Sequence, residues 1–199
     1  WIPFLCMDII TKRYGPKAAT KMNVFALLIN LVFVGVFALV AALQIEIGEN
    51  YLQGDVFSAF NSVFSCTWFV LLASSIAFLA SGIIHNFLNW TIRKLFKRNP
   101  KGKMAYFTSS YVATFVGQFA DNLLFAVIVF MLFAPIYWGY SLTIIQCLGA
   151  ALIGAVLELI IEAIFSPIGY RIFQKWQVEN VGEDYIKYLN NKKLKVNGQ

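Results

Sequence analysis

A single histidine and three cysteines leave this chain little with which to build a metal centre. Cys6, Cys66 and Cys147 lie far apart in or near apolar stretches, with no CxxC pair and no disulfide framework, and read as small apolar packing residues. With His85 as the only imidazole, no metal ligand set forms, and neither metal nor cofactor is expected. HExxH, GxSxG and a Walker lysine loop are all missing, which argues against an enzyme. Charged residues are scarce at 13%, about half the share of a soluble domain, so a soluble domain is excluded. The start, Trp1-Ile2-Pro3-Phe4-Leu5, has no charged leader and no small-residue cleavage site, so it is no signal peptide. It lacks Met and is already apolar, and we expect a missing segment before it.

What the chain has is apolar length and a strict charge pattern. Apolar residues make up 59% of it. All 16 Lys and Arg fall within Lys12–Lys21, Arg93–Lys103 or Arg171–Lys195, and the turns between, Gln44–Ser62 and Ala134–Tyr140, carry acids or no charge. Cytoplasmic loops of membrane proteins keep positive charge and outward loops do not. The net charge of +6 therefore reports topology and anionic headgroups, and nucleic acid is not a partner.

A helix needs about 20 apolar residues to cross the hydrocarbon core. Val24–Leu43, Val63–Ile92, Phe107–Phe133 and Ser141–Ser166 qualify, and Trp1–Ile10 reads as the tail of a truncated span. The runs are continuously apolar, which favours helices over a barrel. The fold expected is an all-α polytopic membrane helix bundle, with four full spans, one partial N-terminal span, and six spans in the intact protein. Residues 1–176 form the transmembrane domain and 177–199 a polar, partly ordered cytoplasmic tail. The membrane expected is the bacterial inner membrane, with the C-terminus cytoplasmic. Trp138, Tyr137 and Tyr140 suit the outer interface, and Trp90, Tyr106 and Trp176 the inner one.

Two spans resemble each other at an offset of 35 residues. Ser74-Ser75 matches Ser109-Ser110, Gly82 matches Gly117, and Asn86 matches Asp121. Consecutive spans run oppositely, so a shared pattern is either an inverted repeat of the transporter kind or a recurrence of small polar residues on bundle-facing stripes.

Polar groups gather on particular faces. Gln118, Asp121, Asn122 and Phe125 share one helical face, extended by Thr114 and Gly117. Gly154, Glu158 and Glu162 recur every fourth residue of the last span. Asp121 and Glu158 facing lipid would cost about 5–7 kcal/mol together, so they face the interior. There they are protonated, hold cations, or accept hydrogen bonds from a donor-rich ligand. A lysine or arginine partner is not expected, since none stands within a span. Glu162 is near enough to the interface to be solvated. Asp8 pairs with Lys12 one turn on or joins a proton relay, and His85 makes an interhelical hydrogen bond or relays protons.

The run Pro3-Phe4-Leu5-Cys6-Met7-Asp8, followed by Tyr14-Gly15-Pro16-Lys17-Ala18-Ala19, resembles the entry of the queuosine-precursor transporter family. Ala73-Ser74-Ser75-Ile76-Ala77 and Gly117-Gln118-Phe119-Ala120-Asp121 resemble its paired helices, and Ser166-Pro167-Ile168-Gly169-Tyr170 its closing motif. The order spans residues 3–176, and Asn86 departs from the Asp that the first paired helix often carries. The resemblance implies six helices and uptake of 7-deazaguanines such as 7-cyano-7-deazaguanine or queuine by a secondary transporter. A deazaguanine edge presents N–H and NH₂ donors side by side, which a carboxylate accepts in bidentate fashion. Asp121 or Glu158 would receive it, Gln118, Asn122 and Asn86 would orient it, Phe125 would stack on the ring, and Glu162 completes the set. His85 and Asp8 would couple the movement to protons. The partners expected are a purine-like small molecule, the lipid bilayer and protons, with a homo-oligomer admitted. The alternative is a substrate-binding subunit of an energy-coupling-factor vitamin importer, which would need an ATPase module.

Overall fold

In lipid each backbone N–H and C=O must be paired within its own segment, so continuously apolar runs fold as helices. The computed structural model describes residues 2–43, 55–96 and 102–197. Their order is α1 (Ile2–Tyr14), α2 (Pro16–Leu43), α3 (Asp55–Leu95), α4 (Lys103–Ala126), a π-helical segment (Val127–Phe133), α5 (Ala134–Tyr137), α6 (Ile144–Val178) and α7 (Glu183–Asn197). No strand occurs among the described residues. Four helices are long and apolar enough to cross a membrane: Pro16–Leu39, Cys66–Leu95, Lys103–Tyr137 and Ile144–Val178. The acidic turn expected over residues 46–55 lies outside the described residues, Asp55 excepted, as do residues 97–101 of the basic turn.

Local chemistry explains the breaks. Gly15 sits at φ +90°, its N–H bonded to the Thr11 carbonyl at 2.9 Å, and ends α1; Pro16, with φ already preset, opens α2. Pro135 cannot donate the backbone bond that the π pattern requires to the Phe130 carbonyl, and the Leu142 N–H takes that place at 3.2 Å. Thr143 and Gln146 close a capping box at the start of α6. Inside α6, Pro167 removes one helical bond.

The helices α2, α3, α4 and α6 pack in sequence order, with α1 wedged against α2, α3 and α6. Ser81 meets Asp121 and His85 meets Thr114, so α3 and α4 run antiparallel, as an inverted repeat requires. The matched positions do not share one environment: Ser109 is buried and Ser74 exposed. Apolar side chains face outward, with Phe25 60%, Val32 66% and Ile145 77% exposed. The interior holds Asp8, Lys12, Asn23, His85, Asn86, Asn89, Gln118 and Glu162. This inside-out distribution suits a lipid solvent.

The two ends differ. At one, termed the aromatic end, Phe69 stacks on Phe133 and Tyr137 with ring centroids 4.9 Å apart, and Trp138 stacks on Tyr140. The other, termed the basic end, brings together Lys12, Arg13, Arg93 and the start of the tail. α6 runs to Val178, into the expected tail, and α7 follows; the Val181 carbonyl receives Arg13 Nε at 3.1 Å, Arg13 Nη2 at 3.0 Å and Tyr14 Oη at 3.2 Å. Gly182, at φ +69°, lies where a Cβ would stand 2.6 Å from the Tyr14 ring.

Candidate functional site

The site begins with one turn of α1. Residues four apart share a helical face, which places Asp8 and Lys12 side by side. Both are buried, and Lys12 Nζ stands 3.2 Å from Asp8 Oδ2. α3 supplies His85 and Asn89 to the same carboxylate: His85 Nε2 is 3.2 Å from Asp8 Oδ1, and Asn89 Nδ2 donates to that oxygen. α4 supplies Ser110, whose Oγ takes a hydrogen bond from Lys12 at 2.5 Å, and Tyr106, whose ring lies 4.0 Å under the ammonium. Arg93 donates to the Lys12 carbonyl at 2.5 Å. Thr114 Oγ1 approaches His85 Nε2 at 3.5 Å, and Phe4 meets the imidazole edge-on with centroids 5.0 Å apart. Gly117 makes that approach feasible, because a Cβ there would lie 3.0 Å from His85 Cβ and 3.1 Å from Phe4.

α6 closes the cluster with Glu162. Its side chain is fully buried, no N–H or O–H among the described residues donates to either oxygen, and its charged neighbours are Asp8, whose carboxyl lies within hydrogen-bond reach, and Lys12. The solvated position that the sequence suggested for Glu162 is thereby overturned: the α1 wedge covers it. His85 Nδ1 and the Tyr106 hydroxyl are likewise buried without a partner among the described residues. Such polar atoms in a dry interior are costly unless something satisfies them.

A second group lies further along α4 and α6 towards the aromatic end. Asp121 is half-buried and accepts from Ser81 Oγ at 2.9 Å, with Glu158 as an electrostatic neighbour. Gln118 is buried one turn away. Asn122 presses on Gly154, where a Cβ would stand 2.6 Å from its Nδ2, so α4 and α6 approach closely there. Phe125 packs with the Phe69, Ala73 and Val129 cluster, 6.5 Å from Phe130. Asn86 is committed elsewhere: it accepts from Thr11 at 3.1 Å and donates to Thr20 at 3.4 Å, tying α3 to α1 and α2.

Of the two readings of Asp8, the pairing with Lys12 one turn on is present at 3.2 Å. Lys12, counted with the cytoplasmic loop, turns into the bundle, where Asp8, Ser110 and the Tyr106 ring receive it. Tyr106, expected at the inner interface, is buried at 1% exposure against Phe173 and Tyr170 of α6. Sequence reasoning also missed Asn89 and Ser110. The spacing of His85, Asn86 and Asn89 on one helical face was the signal available.

Carboxylates, amides and a histidine held in the interior of a membrane helix bundle mark a functional site, of the kind that small-molecule transporters carry between their helices. The family model described as "Putative vitamin uptake transporter" matches residues 1–172, and the chain belongs to that family. No curated protein and no solved structure matches the chain.

Proposed function

We propose that this chain imports a queuosine precursor, a 7-deazaguanine such as 7-cyano-7-deazaguanine or queuine, as a proton-coupled secondary transporter. The observation that carries the reading is Glu162, a fully buried carboxylate to which no group among the described residues donates. The N–H and NH₂ of a deazaguanine edge are the paired donors such a carboxylate accepts. Asp121, Glu158, Gln118 and Asn122 would receive the ring's remaining polar groups on the way from the aromatic end, with Phe125 offering a face for stacking. Asn86 holds the helices around the site. His85 and Asp8, 3.2 Å apart with His85 Nδ1 open, support a proton relay. The membrane would be a bacterial plasma membrane, with the basic end and the C-terminus on the cytoplasmic side, following the charge pattern.

The test is uptake of labelled 7-cyano-7-deazaguanine into proteoliposomes under a proton gradient. Thermal stabilisation by a panel of purines, deazapurines and vitamins is measured in parallel. The reading expects stabilisation by deazapurines, uptake without ATP, and a fall of about tenfold to a hundredfold in Glu162→Gln. Uptake only with ATP and an added ATPase module would move the chain to the energy-coupling-factor class. Stabilisation by another vitamin and silence across the deazapurines would sink the substrate assignment.

A further inference from the structure

At the basic end, the turn between α6 and α7 grips the last turn of α1. Three donors of α1, Arg13 Nε, Arg13 Nη2 and Tyr14 Oη, all reach the Val181 carbonyl within 3.2 Å. Hydrogen bonds from a guanidinium are stronger than neutral ones, and here two of them meet on one oxygen. The turn is shaped to offer that oxygen. Asn180 and Gly182 stand in the left-handed region, at φ 51° and +69°. The Val181 N–H closes onto the Trp176 carbonyl at 3.1 Å, and the Glu183 N–H onto the Asn180 carbonyl at 3.1 Å. Glycine is required at 182, because a Cβ there would stand 2.6 Å from the Tyr14 ring. That ring lies between Trp176 of α6 and Tyr185 of α7, with centroids 6.2 and 6.0 Å away. The same turn of α1 carries Lys12, buried against Asp8 at 3.2 Å and Ser110 at 2.5 Å.

We infer that the α6–α7 turn is a clasp on α1, through which the tail sets the position of the Asp8–Lys12 pair inside the bundle; this goes beyond the cargo reading and does not depend on it. Arg13 and Tyr14 follow Lys12 directly in one continuous helix. A helix passes a displacement of its end along its length, because backbone bonds tie each residue to the next turn. While the clasp is shut, the Lys12 ammonium stays dry beside Ser110 and the Tyr106 ring. With the clasp open, the last turn of α1 keeps only the Arg93 bond to the Lys12 carbonyl, at 2.5 Å, as a tie to α3. The long lysine stem then lets the ammonium follow that turn out to water at the basic end. A load on α7 is thereby carried to two charged groups of the interior.

The experiment measures how fast a water-soluble amine-acylating reagent modifies Lys12 in the purified full chain, read by mass spectrometry. Lys175, 71% exposed, is the reference for the reagent. Cys147 of α6, fully buried and probed with a thiol reagent, is the reference for an intact bundle. Lys12 is expected to react slowly in the wild type, at 4% exposure. Its rate should rise about tenfold or more in Arg13→Met and in Gly182→Ala, while Cys147 stays unlabelled. Tyr14→Phe loses one hydrogen bond and keeps the ring, so it should give a smaller rise, and it serves where the Gly182 variant does not fold. Arg13→Met combined with Gly182→Ala should go no further than the larger single change, since both open one clasp. A Lys12 rate that stays at the wild-type value in these variants overturns the inference. So does a double variant whose rise is the product of the two single ones, because the two residues then act apart. Lys12 and Cys147 becoming reactive together also overturns it, since the bundle has then loosened as a whole.

Discussion

The two ends of the bundle solve the same packing problem with opposite materials. At the aromatic end, Phe69, Phe133, Tyr137 and Trp138 fill the space between α3 and the π segment with rings that need no partner but each other. At the basic end, α1 is held by Asp8, Lys12, His85, Asn89 and Ser110, each of which needs a specific atom opposite it. Lipid is as apolar as a ring, so the aromatic end gains only contact from its packing. The basic end gains direction, because a buried charge tolerates few arrangements. A transporter that must hold a polar cargo in lipid needs the second kind of region, and the first kind keeps the helices together around it.

The comparison breaks most visibly at Asp8. Asp8→Ala leaves Lys12 buried without its carboxylate and should cost about 3–5 kcal/mol, read as a lowered melting temperature in detergent; an unchanged melt would show that Lys12 simply turns to solvent. Phe69→Ala opens a cavity at the other end. The loss should be about 2 kcal/mol, below the soluble-core range because no water-to-oil transfer is lost, and the pH profile of cargo binding should stay as in the wild type. Gly82→Ala drives a Cβ into the buried Asn23 amide, so α2 or the amide must shift, at about 1–3 kcal/mol by the same melt. Glu162→Gln sharpens the contrast from the functional side: uptake falls while the melt is level or higher, since a buried carboxylate beside Asp8 gives way to a neutral amide. A melt that falls with uptake would make Glu162 a structural residue. The smallest effect belongs to the exposed Glu183–Lys187 pair of α7, 3.1 Å apart, where Lys187→Ala should change the melt by no more than about 0.5 kcal/mol.

Much of this was readable in the chain. Hydropathy located all four spans, though α2, α3, α4 and α6 each run past a limit drawn for them, because a helix continues beyond the oil wherever its backbone bonds can. The Asp8 and Lys12 spacing was visible too, and so was the face carrying Gln118, Asp121 and Asn122. The burial of Lys12 was not visible. A basic residue at the end of an apolar run reads as a loop anchor, and only the partners on α3 and α4 show that it turns inward. Tyr106 was misplaced for the same reason: a tyrosine beside a basic turn has the composition of an interface, whatever packs over it.

The order of residues decided, alone, that this is an α-helical membrane protein, how many spans it has here, and the family it joins. Each of those follows from free energies summed along the chain, such as transfer to lipid and backbone pairing within a segment. The tertiary structure decided that Lys12 turns inward and which groups of α3, α4 and α6 meet the Asp8–Lys12 pair. That depends on contacts between residues some 75 to 100 positions apart, and on how closely α1 can wedge beside His85 and Glu162 once Gly15 has turned the chain.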